Sequence, residues 1–571
     1  MSTNVVGSIA RPAWTALARR PETLADVVDG MAVQPGRLVF CDGQDGRPAE
    51  LALPHWELAA EAGRAAAVLE DLGVRPGDRV GLLAPTSPGL VISLLATWRA
   101  GAIPTVLPFR KRRPDQVAAR LGAVAARAVV TDGEFAALVG PEPGGARVVR
   151  FDELLASGPA ASRGVRVTAG DVALLQFTSG STARPRAVTL THATLLFGCG
   201  LVPRTLGMAS GQTWVSWLPL YHDMGLITFV ASLVTGASMH LTTPEQFVNR
   251  PGWWLDTAAR HGCYGTAAPT FGLRLAALDL RLNPRPLDLS RLEVVLTGAE
   301  PIDHGALQAF AGATAPAGLS PHALCPGYGL AEATLGVTSS RPGEPVRSYV
   351  VHRQGLEPGG IVRLAEPGAT GTRRLVSCGG PIPDTDVRVV DDAGDAVPPW
   401  RVGEIAVRSP AVMAGYWSAP EATAEVLAPD GWLRTGDLGF LAERGDLVVC
   451  GRIKDMIIVG GHNVYPEEYE SAAQRVDGVR SGGVVAFSVP EIERMVVVAE
   501  MSRRCDDPEG LARRLMSALR EDVAHAPEEV VVVGAGGVPR TTSGKLQRRL
   551  CCRLYVSGEL SALGTARRQG G

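Results

Sequence analysis

Two apolar, strand-like runs flank a short hydroxyl-rich loop. The runs are Val172–Phe177 and Val188–Thr191, and the loop opens with Thr178–Thr182, five small residues that carry four hydroxyl groups around one glycine. Such residues let the backbone turn tightly, so that N–H groups and hydroxyls can converge on phosphate oxygens. Arg184 and Arg186 add positive charge beside the loop. The stretch predicts a strand, a polyphosphate-binding loop and a second strand; an ordinary surface turn is the alternative.

Length and composition restrict the class of protein. A chain of 571 residues is too long for one hydrophobic core and predicts at least two domains. Its 46% apolar and 20% charged residues are typical of a soluble globular protein, and its net charge of −2 argues against a general nucleic-acid binder. Nine cysteines without metal-ligand spacing indicate a reduced, cytoplasmic protein. Neither a signal sequence nor an apolar run of about 18 residues is present, so no secretion and no membrane span are expected.

Helical and strand patterns alternate through the first part of the chain, which predicts an α/β fold with a largely parallel sheet. The expected helices there are 56–72 and 89–100, and the expected strands are 79–83, 103–107, 129–130, 148–149 and 174–177. An apolar helix over 226–234 is expected to end at Gly236. Strands at 387–390 and 403–407 predict a β subdomain. Beyond residue 454 the pattern is α+β, with helices at 466–474 and 508–523 and strands at 482–489, 495–501 and 530–533.

The hydroxyl-rich loop resembles the phosphate-binding core motif of the adenylate-forming superfamily, which includes acyl-CoA synthetases, luciferases and the adenylation domains of peptide synthetases. The residues that match this motif are Thr178, Ser179, Gly180, Ser181, Thr182 and Pro185. Ala183, Arg186 and Ala187 stand where the family usually has Gly, Lys and Gly. The resemblance implies that the loop and Arg186 bind the phosphates of ATP, and that Thr178 takes part in catalysis as a magnesium ligand.

Two later stretches resemble the nucleotide motifs of the superfamily. Gly298-Ala299-Glu300 follows a predicted strand at 294–297 and resembles the adenine-facing loop. Tyr328 and Gly329 open the run Tyr-Gly-Leu-Ala-Glu, in which the tyrosine is expected to stack on adenine. Glu332 ends that run, and the resemblance implies a catalytic carboxylate that holds the magnesium ion beside the phosphates.

Motifs in the last quarter of the chain continue the pattern. Asp437 lies in Thr-Gly-Asp-Leu-Gly, and the family uses such an aspartate to bind both ribose hydroxyls. Arg452 and Lys454 stand in Gly-Arg-Ile-Lys-Asp, which resembles the superfamily hinge, with the arginine near the nucleotide and the lysine at the pivot. Lys545 lies in Thr-Ser-Gly-Lys and resembles the catalytic lysine.

Three features concern the acid substrate. His222 begins the sequence His-Asp-Met-Gly, which resembles the acyl-pocket motif in the form typical of fatty acyl-AMP ligases and implies a substrate-side role. Phe271 and Gly329 are expected in the wall of the same pocket, although core packing accounts equally well for Phe271. The interval 335–377 is rich in Pro and Gly and resembles an insertion that fatty acyl-AMP ligases carry; a variable surface loop is the alternative.

The motifs, in this order, resemble those of a stand-alone fatty acyl-AMP ligase. The resemblance implies a large N-terminal domain of α/β layers plus a β subdomain, residues 1–453, and a small mobile α+β C-terminal domain, residues 454–571. It also implies activation of a fatty or related carboxylic acid with ATP and Mg²⁺ to acyl-AMP and pyrophosphate, and transfer to the phosphopantetheine thiol of a separate acyl carrier protein. An acyl-CoA synthetase, an amino-acid adenylation enzyme and an inactive nucleotide-binding relative remain open alternatives. The second would need a carboxylate for the substrate amine, and the sequence identifies none, although Asp223 is near the right region.

Overall fold

The structure is a computed structural model that describes residues 20–42, 49–109, 114–155, 162, 165–178, 185–459, 462–489, 494–523, 526–540 and 546–568. The helices of these residues are α1 (Leu24–Gly30), α2 (His55–Asp71), α3 (Pro88–Arg99), α4 (Pro114–Ala123), α5 (Gly133–Val139), α6 (Phe151–Leu155), α7 (His192–Leu206), α8 (Asp223–Thr235), α9 (Pro244–Asn249), α10 (Gly252–Arg260), α11 (Thr270–Leu282), α12 (His304–Thr314), α13 (Pro420–Ala424), α14 (Pro466–Ala473), α15 (Pro508–Asp522) and α16 (Arg548–Val556).

The strands of the same residues are β1 (Arg37–Asp42), β2 (Ala49–Pro54), β3 (Arg79–Leu83), β4 (Ile103–Val106), β5 (Ala128–Thr131), β6 (Arg147–Arg150), β7 (Val172–Phe177), β8 (Ala187–Thr191), β9 (Thr213–Ser216), β10 (Ser238–Leu241), β11 (Gly265–Ala268), β12 (Val294–Thr297), β13 (Leu324–Gly329), β14 (Gly336–Ser339), β15 (Ser348–His352), β16 (Thr372–Val376), β17 (Gly380–Pro381), β18 (Asp386–Val390), β19 (Gly403–Arg408), β20 (Gly415–Tyr416), β21 (Leu433–Leu441), β22 (Leu447–Arg452), β23 (Ile457–Val459), β24 (His462–Val464), β25 (Val479–Val489), β26 (Arg494–Met501), β27 (Glu529–Val533) and β28 (Ala562–Arg567).

Two sheets with parallel strands form the larger part of the fold. One has nine strands in the order β17-β14-β13-β12-β11-β9-β10-β1-β2, with parallel pairing from β13 to β1 and antiparallel pairing at both edges. The other has four parallel strands in the order β4-β3-β5-β6. Parallel neighbours need long crossover connections, which the intervening helices provide. The α/β fold class predicted from the sequence is confirmed.

The pairing of β7 differs from the expectation. Its residues were expected to extend the parallel series, but β7 pairs antiparallel with β8, and β8 pairs antiparallel with β20. The reason is the short connection of residues 178–186, since a parallel return would need a crossover of a dozen or more residues. The predicted order of strand, loop and strand is confirmed, and its strands form a separate three-stranded sheet.

The later strands form two smaller sheets. The strands β18, β19, β21 and β22 form an antiparallel sheet, which confirms the predicted β subdomain. The strands β25 to β28 form another sheet, against which α14, α15 and α16 lie, and its core includes Tyr469, Val497 and Leu515. The α+β pattern of this part is therefore confirmed. The boundary between residues 453 and 454 falls in a short 3-10 turn directly after β22 and remains a prediction.

All nine cysteines lie in the described residues, and none of them forms a disulfide bond there. Within the described ranges, no helix combines the length and apolar character that crossing a membrane requires.

Candidate active site

One large cavity of about 1930 Å³ collects the predicted site residues that the structure describes. The members that line it are Thr178, Arg186, His222, Phe271, Gly298, Ala299, Glu300, Tyr328, Gly329, Glu332, Asp437, Arg452 and Lys454. The other predicted site residues lie outside the described residues and are Ser179, Gly180, Ser181, Thr182 and Lys545. Arg540 and Leu546, the described residues on either side of the catalytic-lysine motif, line the same cavity.

The carboxyl ends of β12 and β13 form one wall of the cavity. These strands are parallel neighbours, so the residues that follow them meet at the same sheet edge, where α/β folds bind their ligands. The backbone approaches closely here, because a Cβ atom at Gly298 would lie 2.6 Å from the carbonyl oxygen of Gly327. Ala299 follows with a φ of 66°, a left-handed conformation that is costly for alanine. The predicted adenine-facing loop is therefore a tight turn at a ligand-binding edge.

Asp437, on β21, is the centre of a hydrogen-bonded group that lines the cavity. It is only 4% exposed, and its Oδ2 accepts a hydrogen bond of 2.7 Å from the Tyr328 hydroxyl. Its Oδ1 accepts a hydrogen bond of 2.8 Å from Nε of Arg452, the residue directly opposite it in the β21–β22 pairing. Burial, and then the negative charge of Asp437, raise the pKa of Tyr328 well above its usual value, so the tyrosine stays a donor. These contacts hold the carboxylate in one orientation.

Glu332 lies in a second polar group with a residue that the sequence did not single out. Its Oε1 accepts a hydrogen bond of 2.9 Å from the Tyr416 hydroxyl. The guanidinium of Arg186 lies 5.4 Å from the ring centre of the same tyrosine. The short strand β20 brings Tyr416 there by pairing with β8, which begins directly after Arg186. Burial raises the pKa of Glu332, and the hydrogen bond from Tyr416 opposes this shift.

The base of the hydroxyl-rich loop is closed by a backbone contact. The N–H of Thr178 donates a hydrogen bond of 3.1 Å to the carbonyl oxygen of Arg186. Thr178 and Glu332 both line the cavity. Magnesium is usually held by one or two carboxylates together with substrate phosphates and water, and this pair of oxygen ligands fits that pattern.

His222 and Phe271, two of the three residues predicted on the acyl side, lie at the beginnings of different helices. His222 caps the N-terminus of α8, where its Nδ1 accepts from the N–H of Met224 at 3.3 Å and lies 2.6 Å from a carboxylate oxygen of Asp223. The predicted end of this helix at Gly236 is confirmed by a φ of 73°. Phe271 lies in the first turn of α11, and its ring packs edge-on against Trp217 with centroids 5.7 Å apart. Phe271 thus packs in the core and also lines the cavity.

Glu300 has a structural contact that its predicted role did not include. Its Oε1 accepts a hydrogen bond of 2.8 Å from the N–H of Phe271. This N–H belongs to the first turn of α11, where backbone donors have no partner within the helix. This hydrogen bond therefore joins the loop after β12 to the helix that carries Phe271. The loop is predicted on the nucleotide side and Phe271 on the acyl side, so one contact connects the two sides.

The larger part of the chain matches a known protein family. The model of the family described as AMP-binding enzyme matches residues 33–417. The chain belongs to the AMP-binding enzyme family. Enzymes of this family use ATP to form adenylates, so the predicted family and the use of ATP are confirmed. The match includes Thr178, Glu332 and Tyr416, and it ends before Asp437 and Lys545.

This AMP-binding enzyme is also similar to individual proteins over most of its length. It is 36% identical to a putative acyl-CoA synthetase of Caulobacter vibrioides, covering 89% of this chain and 91% of the relative. It is 34% identical to a long-chain-fatty-acid–AMP ligase of Mycobacterium marinum, covering 88% and 91%. A solved structure from a group of fatty acyl-adenylate ligases of E. coli and L. pneumophila matches with a TM-score of 0.86 and 30% identity, covering 94% of this chain and 98% of that one. The similarities therefore cover more of the chain than the residues that the family model matches.

The interval 335–377 of this AMP-binding enzyme contacts the segment that follows Lys454. It contains the antiparallel pair β15–β16, and Arg353 and Arg373 in it reach Glu468 at 3.3 and 3.6 Å. The Tyr465 hydroxyl donates a hydrogen bond of 2.7 Å to the carbonyl oxygen of Leu356. The carboxylate of Glu468 is only 6% exposed, so water screens these ion pairs weakly. The interval is thus an ordered element that joins two parts of the chain.

Proposed function

We propose that this protein is a fatty acyl-AMP ligase. It would condense ATP with a fatty or related carboxylic acid to form acyl-AMP and pyrophosphate, and would then pass the acyl group to the phosphopantetheine thiol of a separate acyl carrier protein. The observation that carries the proposal is the single cavity that brings the nucleotide-side groups of β12, β13 and β21 together with the acyl-side residues of α8 and α11.

In the first half-reaction, a carboxylate oxygen of the acid attacks the α-phosphorus of ATP, and the bond to the bridging oxygen breaks to release pyrophosphate. Negative charge builds on the phosphoryl oxygens, and preorganised donors and cations stabilise it. We assign this task to Lys545, to the hydroxyl-rich loop from Thr178 to Thr182 and to Arg186. Glu332 and Thr178 would hold Mg²⁺, which neutralises phosphate charge when it is bound.

The nucleotide would lie between the walls that the strands form. We assign the ribose hydroxyls to Asp437, because a buried carboxylate in a fixed orientation can accept two hydrogen bonds from a diol while it keeps those from Tyr328 and Arg452. The turn Gly298-Ala299-Glu300 and the ring of Tyr328 would contact the adenine, with Gly329 beside them. A Cβ at Gly329 would collide with the carbonyl oxygen of Leu335, so the backbone requires glycine there.

The acid would occupy the part of the cavity lined by apolar side chains. These include Leu201, Val202, Leu206, Phe271, Ala277 and Leu278. An amino acid would need a free carboxylate for its ammonium group, and Asp223 was the candidate. Its Oδ1 instead lies 2.6 Å from His222 Nδ1 and accepts a hydrogen bond of 2.7 Å from the N–H of Met224. A fatty acid therefore suits the cavity better than an amino acid.

In the second half-reaction, the thiol sulfur attacks the acyl carbonyl, AMP leaves, and a thioester forms. We propose that the unit of residues 454–571 turns about Lys454 between the two steps and so moves Lys545 away from the phosphates. The ion pairs of Glu468 with Arg353 and Arg373 join the interval 335–377 to this unit. These ion pairs would have to break or move when the unit turns.

The deciding experiment measures both half-reactions. The enzyme is incubated with ATP, Mg²⁺ and a panel of fatty, aromatic and amino acids, and pyrophosphate release and acyl-AMP are measured. Coenzyme A or a phosphopantetheinylated carrier protein is then added. We expect acyl-AMP from fatty acids and transfer to the carrier alone, with the Lys545→Ala variant as the inactive control. Rapid acyl-CoA formation would identify an acyl-CoA synthetase instead, and the absence of pyrophosphate release with every acid would identify an inactive relative.

A further inference from the structure

A cluster of metal-ligating side chains lies on the nine-stranded sheet, away from the cavity. Its members are Cys41 on β1, Glu50 on β2 and His240 on β10, and their ligand atoms all lie within 4.8 Å of one another. The strands β10, β1 and β2 form one edge of the sheet, separated from β12 and β13 by β9 and β11. None of the cluster residues lines the cavity. The cluster is therefore independent of the adenylation site and of the function proposed for it.

The register of the strands explains why these side chains meet. Cys41 lies directly opposite Glu50 in the antiparallel pairing of β1 with β2. His240 lies opposite Val39 in the parallel pairing of β1 with β10. Side chains two positions apart on a strand point to the same face, so Val39 and Cys41 share a face, and so do their partners on the neighbouring strands. Three strands thus direct a thiol, a carboxylate and an imidazole to one point.

The distances are close to those of a tetrahedral zinc site. The sulfur of Cys41 lies 3.9 Å from Nδ1 of His240. Zinc bonds to sulfur and nitrogen at about 2.3 and 2.0 Å, which places two tetrahedral ligands about 3.6 Å apart. A movement of a few tenths of an ångström would therefore bring both ligands into the first coordination shell. A set of sulfur, nitrogen and oxygen ligands favours zinc over magnesium or calcium, which prefer oxygen alone.

Neighbouring residues supply further contacts to the cluster. His261 follows α10, its Nε2 lies 3.2 Å from a carboxylate oxygen of Glu50, and its ring packs on that of His240 with centroids 4.0 Å apart. Arg260 lies 3.4 Å from the same carboxylate oxygen. Outer partners of this kind orient the ligands of metal sites. His261 is therefore the neighbouring side chain to test as a fourth ligand.

The charges of the ligands suit a divalent cation. Cys41 would bind as a thiolate, with release of its proton, and His240 would bind through a neutral ring nitrogen. The thiolate and the carboxylate of Glu50 would together balance the charge of Zn²⁺.

We propose that Cys41, Glu50 and His240 form a Zn²⁺ site, with His261 or water as the fourth ligand. Bound zinc would cross-link β1 and β2 to β10, strands that are about two hundred residues apart in the chain but adjacent in the sheet. Its role would be structural, because the cluster lies outside the cavity.

The test measures zinc on the complete protein, prepared without a polyhistidine tag. The protein is incubated with ZnCl₂, dialysed, and analysed by inductively coupled plasma mass spectrometry. We expect about one zinc ion per chain, and a loss of tenfold or more in zinc affinity for Glu50→Gln, whose partly exposed side chain makes misfolding no concern. Cys41→Ser should also lose the near-ultraviolet thiolate band of the cobalt-loaded protein. Zinc should raise the unfolding midpoint of the unmodified protein but not that of Cys41→Ser.

A matched control is Cys325→Ser, because Cys325 is a buried free cysteine of the same sheet on β13 and lies outside the cluster. This variant should bind zinc and cobalt as the unmodified protein does. His261→Gln distinguishes the fourth ligand: a lower zinc affinity assigns it to His261, and an unchanged affinity assigns it to water. Substoichiometric zinc on the unmodified protein, below about a tenth of an ion per chain, would overturn the proposal. Equal zinc content in the unmodified protein, Cys41→Ser and Glu50→Gln would overturn it as well.

Discussion

The Tyr328 hydroxyl donates a hydrogen bond of 2.7 Å to Oδ2 of Asp437, 109 residues further along the chain. This contact joins the end of β13 in the nine-stranded sheet to β21 in the β subdomain. The carboxylate that is proposed to bind the ribose is thus oriented by the residue that is proposed to contact the adenine. The orientation of both side chains therefore depends on how the two sheets pack, and a substitution at either residue should affect the other.

We expect Tyr328→Phe to lower kcat/KM for ATP about tenfold to a hundredfold, mainly through a higher KM. The ring remains, but a hydrogen bond to a charged group is lost, and such bonds are worth about 1.5–3 kcal/mol. Pyrophosphate release at varied ATP concentration measures the effect. Tyr349→Phe is a matched control, because the Tyr349 hydroxyl also contacts a carboxylate, that of Asp446 at 3.4 Å, but does not line the cavity. Equal effects of both substitutions would remove Tyr328 from the nucleotide site.

Tyr416→Phe should change how adenylation depends on pH and on magnesium. Burial already raises the pKa of Glu332, and the hydrogen bond from Tyr416 opposes that shift. Its loss should raise the pKa further, so a larger fraction of Glu332 is protonated at mildly acidic pH and cannot hold the metal. We expect the acidic limb of the rate profile to move to higher pH and activity there to fall about threefold to tenfold. Excess Mg²⁺ should restore part of it. An unmoved acidic limb would contradict this role.

Much of the site could be predicted from the sequence because each motif is local. Gly298, Tyr328 and Glu332 lie at or just after the ends of short strands, Asp437 lies within β21, and the motif around each is contiguous in the chain. The structure places them in one cavity. Secondary structure was predicted well where an element has its own periodicity and its own end signal, as in α8, which ends at Gly236.

Contacts that depend on pairing between distant segments could not be predicted. Tyr416 meets Glu332 because the two-residue strand β20 pairs with β8. A strand of two residues is too short to show an alternation of apolar and polar residues in the sequence. Glu300 accepts a hydrogen bond from the N–H of Phe271, which follows from the packing of α11 against the loop after β12. The meeting of Cys41 with His240 is decided by strand register across the sheet, so the spacing of cysteines in the sequence could not indicate it.

Lys545→Ala should lower pyrophosphate release by about 10² to 10³, as removal of one preorganised donor does elsewhere. Binding of ATP should change much less, because the charge that the lysine would stabilise develops in the transition state. The chain has three lysines, Lys111, Lys454 and Lys545. Lys111→Ala is therefore a suitable control, since this residue lies outside every motif of the family. Near-normal pyrophosphate release by Lys545→Ala would defeat the assignment.

Lys454→Pro should spare adenylation and impair transfer to the carrier. Lys454 is exposed in the 3-10 turn Ile453–Asp455, between the β subdomain and the C-terminal sheet. Proline locks its own φ and disfavours helical geometry at the residue before it, so Ile453 and residue 454 would lose the freedom that rotation requires. Single-turnover assays of acyl-AMP formation and of thioester formation separate the steps. Lys454→Ala keeps the backbone free and should affect transfer little. Equal loss of both steps in the proline variant would contradict a hinge at this position.

Stability should fall at acidic pH because of His192, the first residue of α7. Its Nδ1 accepts a hydrogen bond of 3.0 Å from the N–H of Leu24, which an unprotonated nitrogen alone can do. Burial lowers its pKa to about 4, although the charges of Asp171 and Asp26 oppose the shift. In the unfolded chain the pKa is about 6.5, so between pH 6.5 and 4 the unfolded state binds one more proton than the folded state.

The stability that His192 contributes is therefore complete above about pH 6.5 and is lost as the pH falls toward 4, by up to about 3 kcal/mol. Urea unfolding at a series of pH values measures this slope. His192→Asn offers an oxygen acceptor to the N–H of Leu24 without a titrating group, and its free energy of unfolding should fall less steeply over the same range. His55 and His240, whose pKa values burial also lowers to about 4, remain in both proteins, so the difference in slope isolates His192. Identical slopes would mean that the pKa of His192 does not differ between the folded and the unfolded chain.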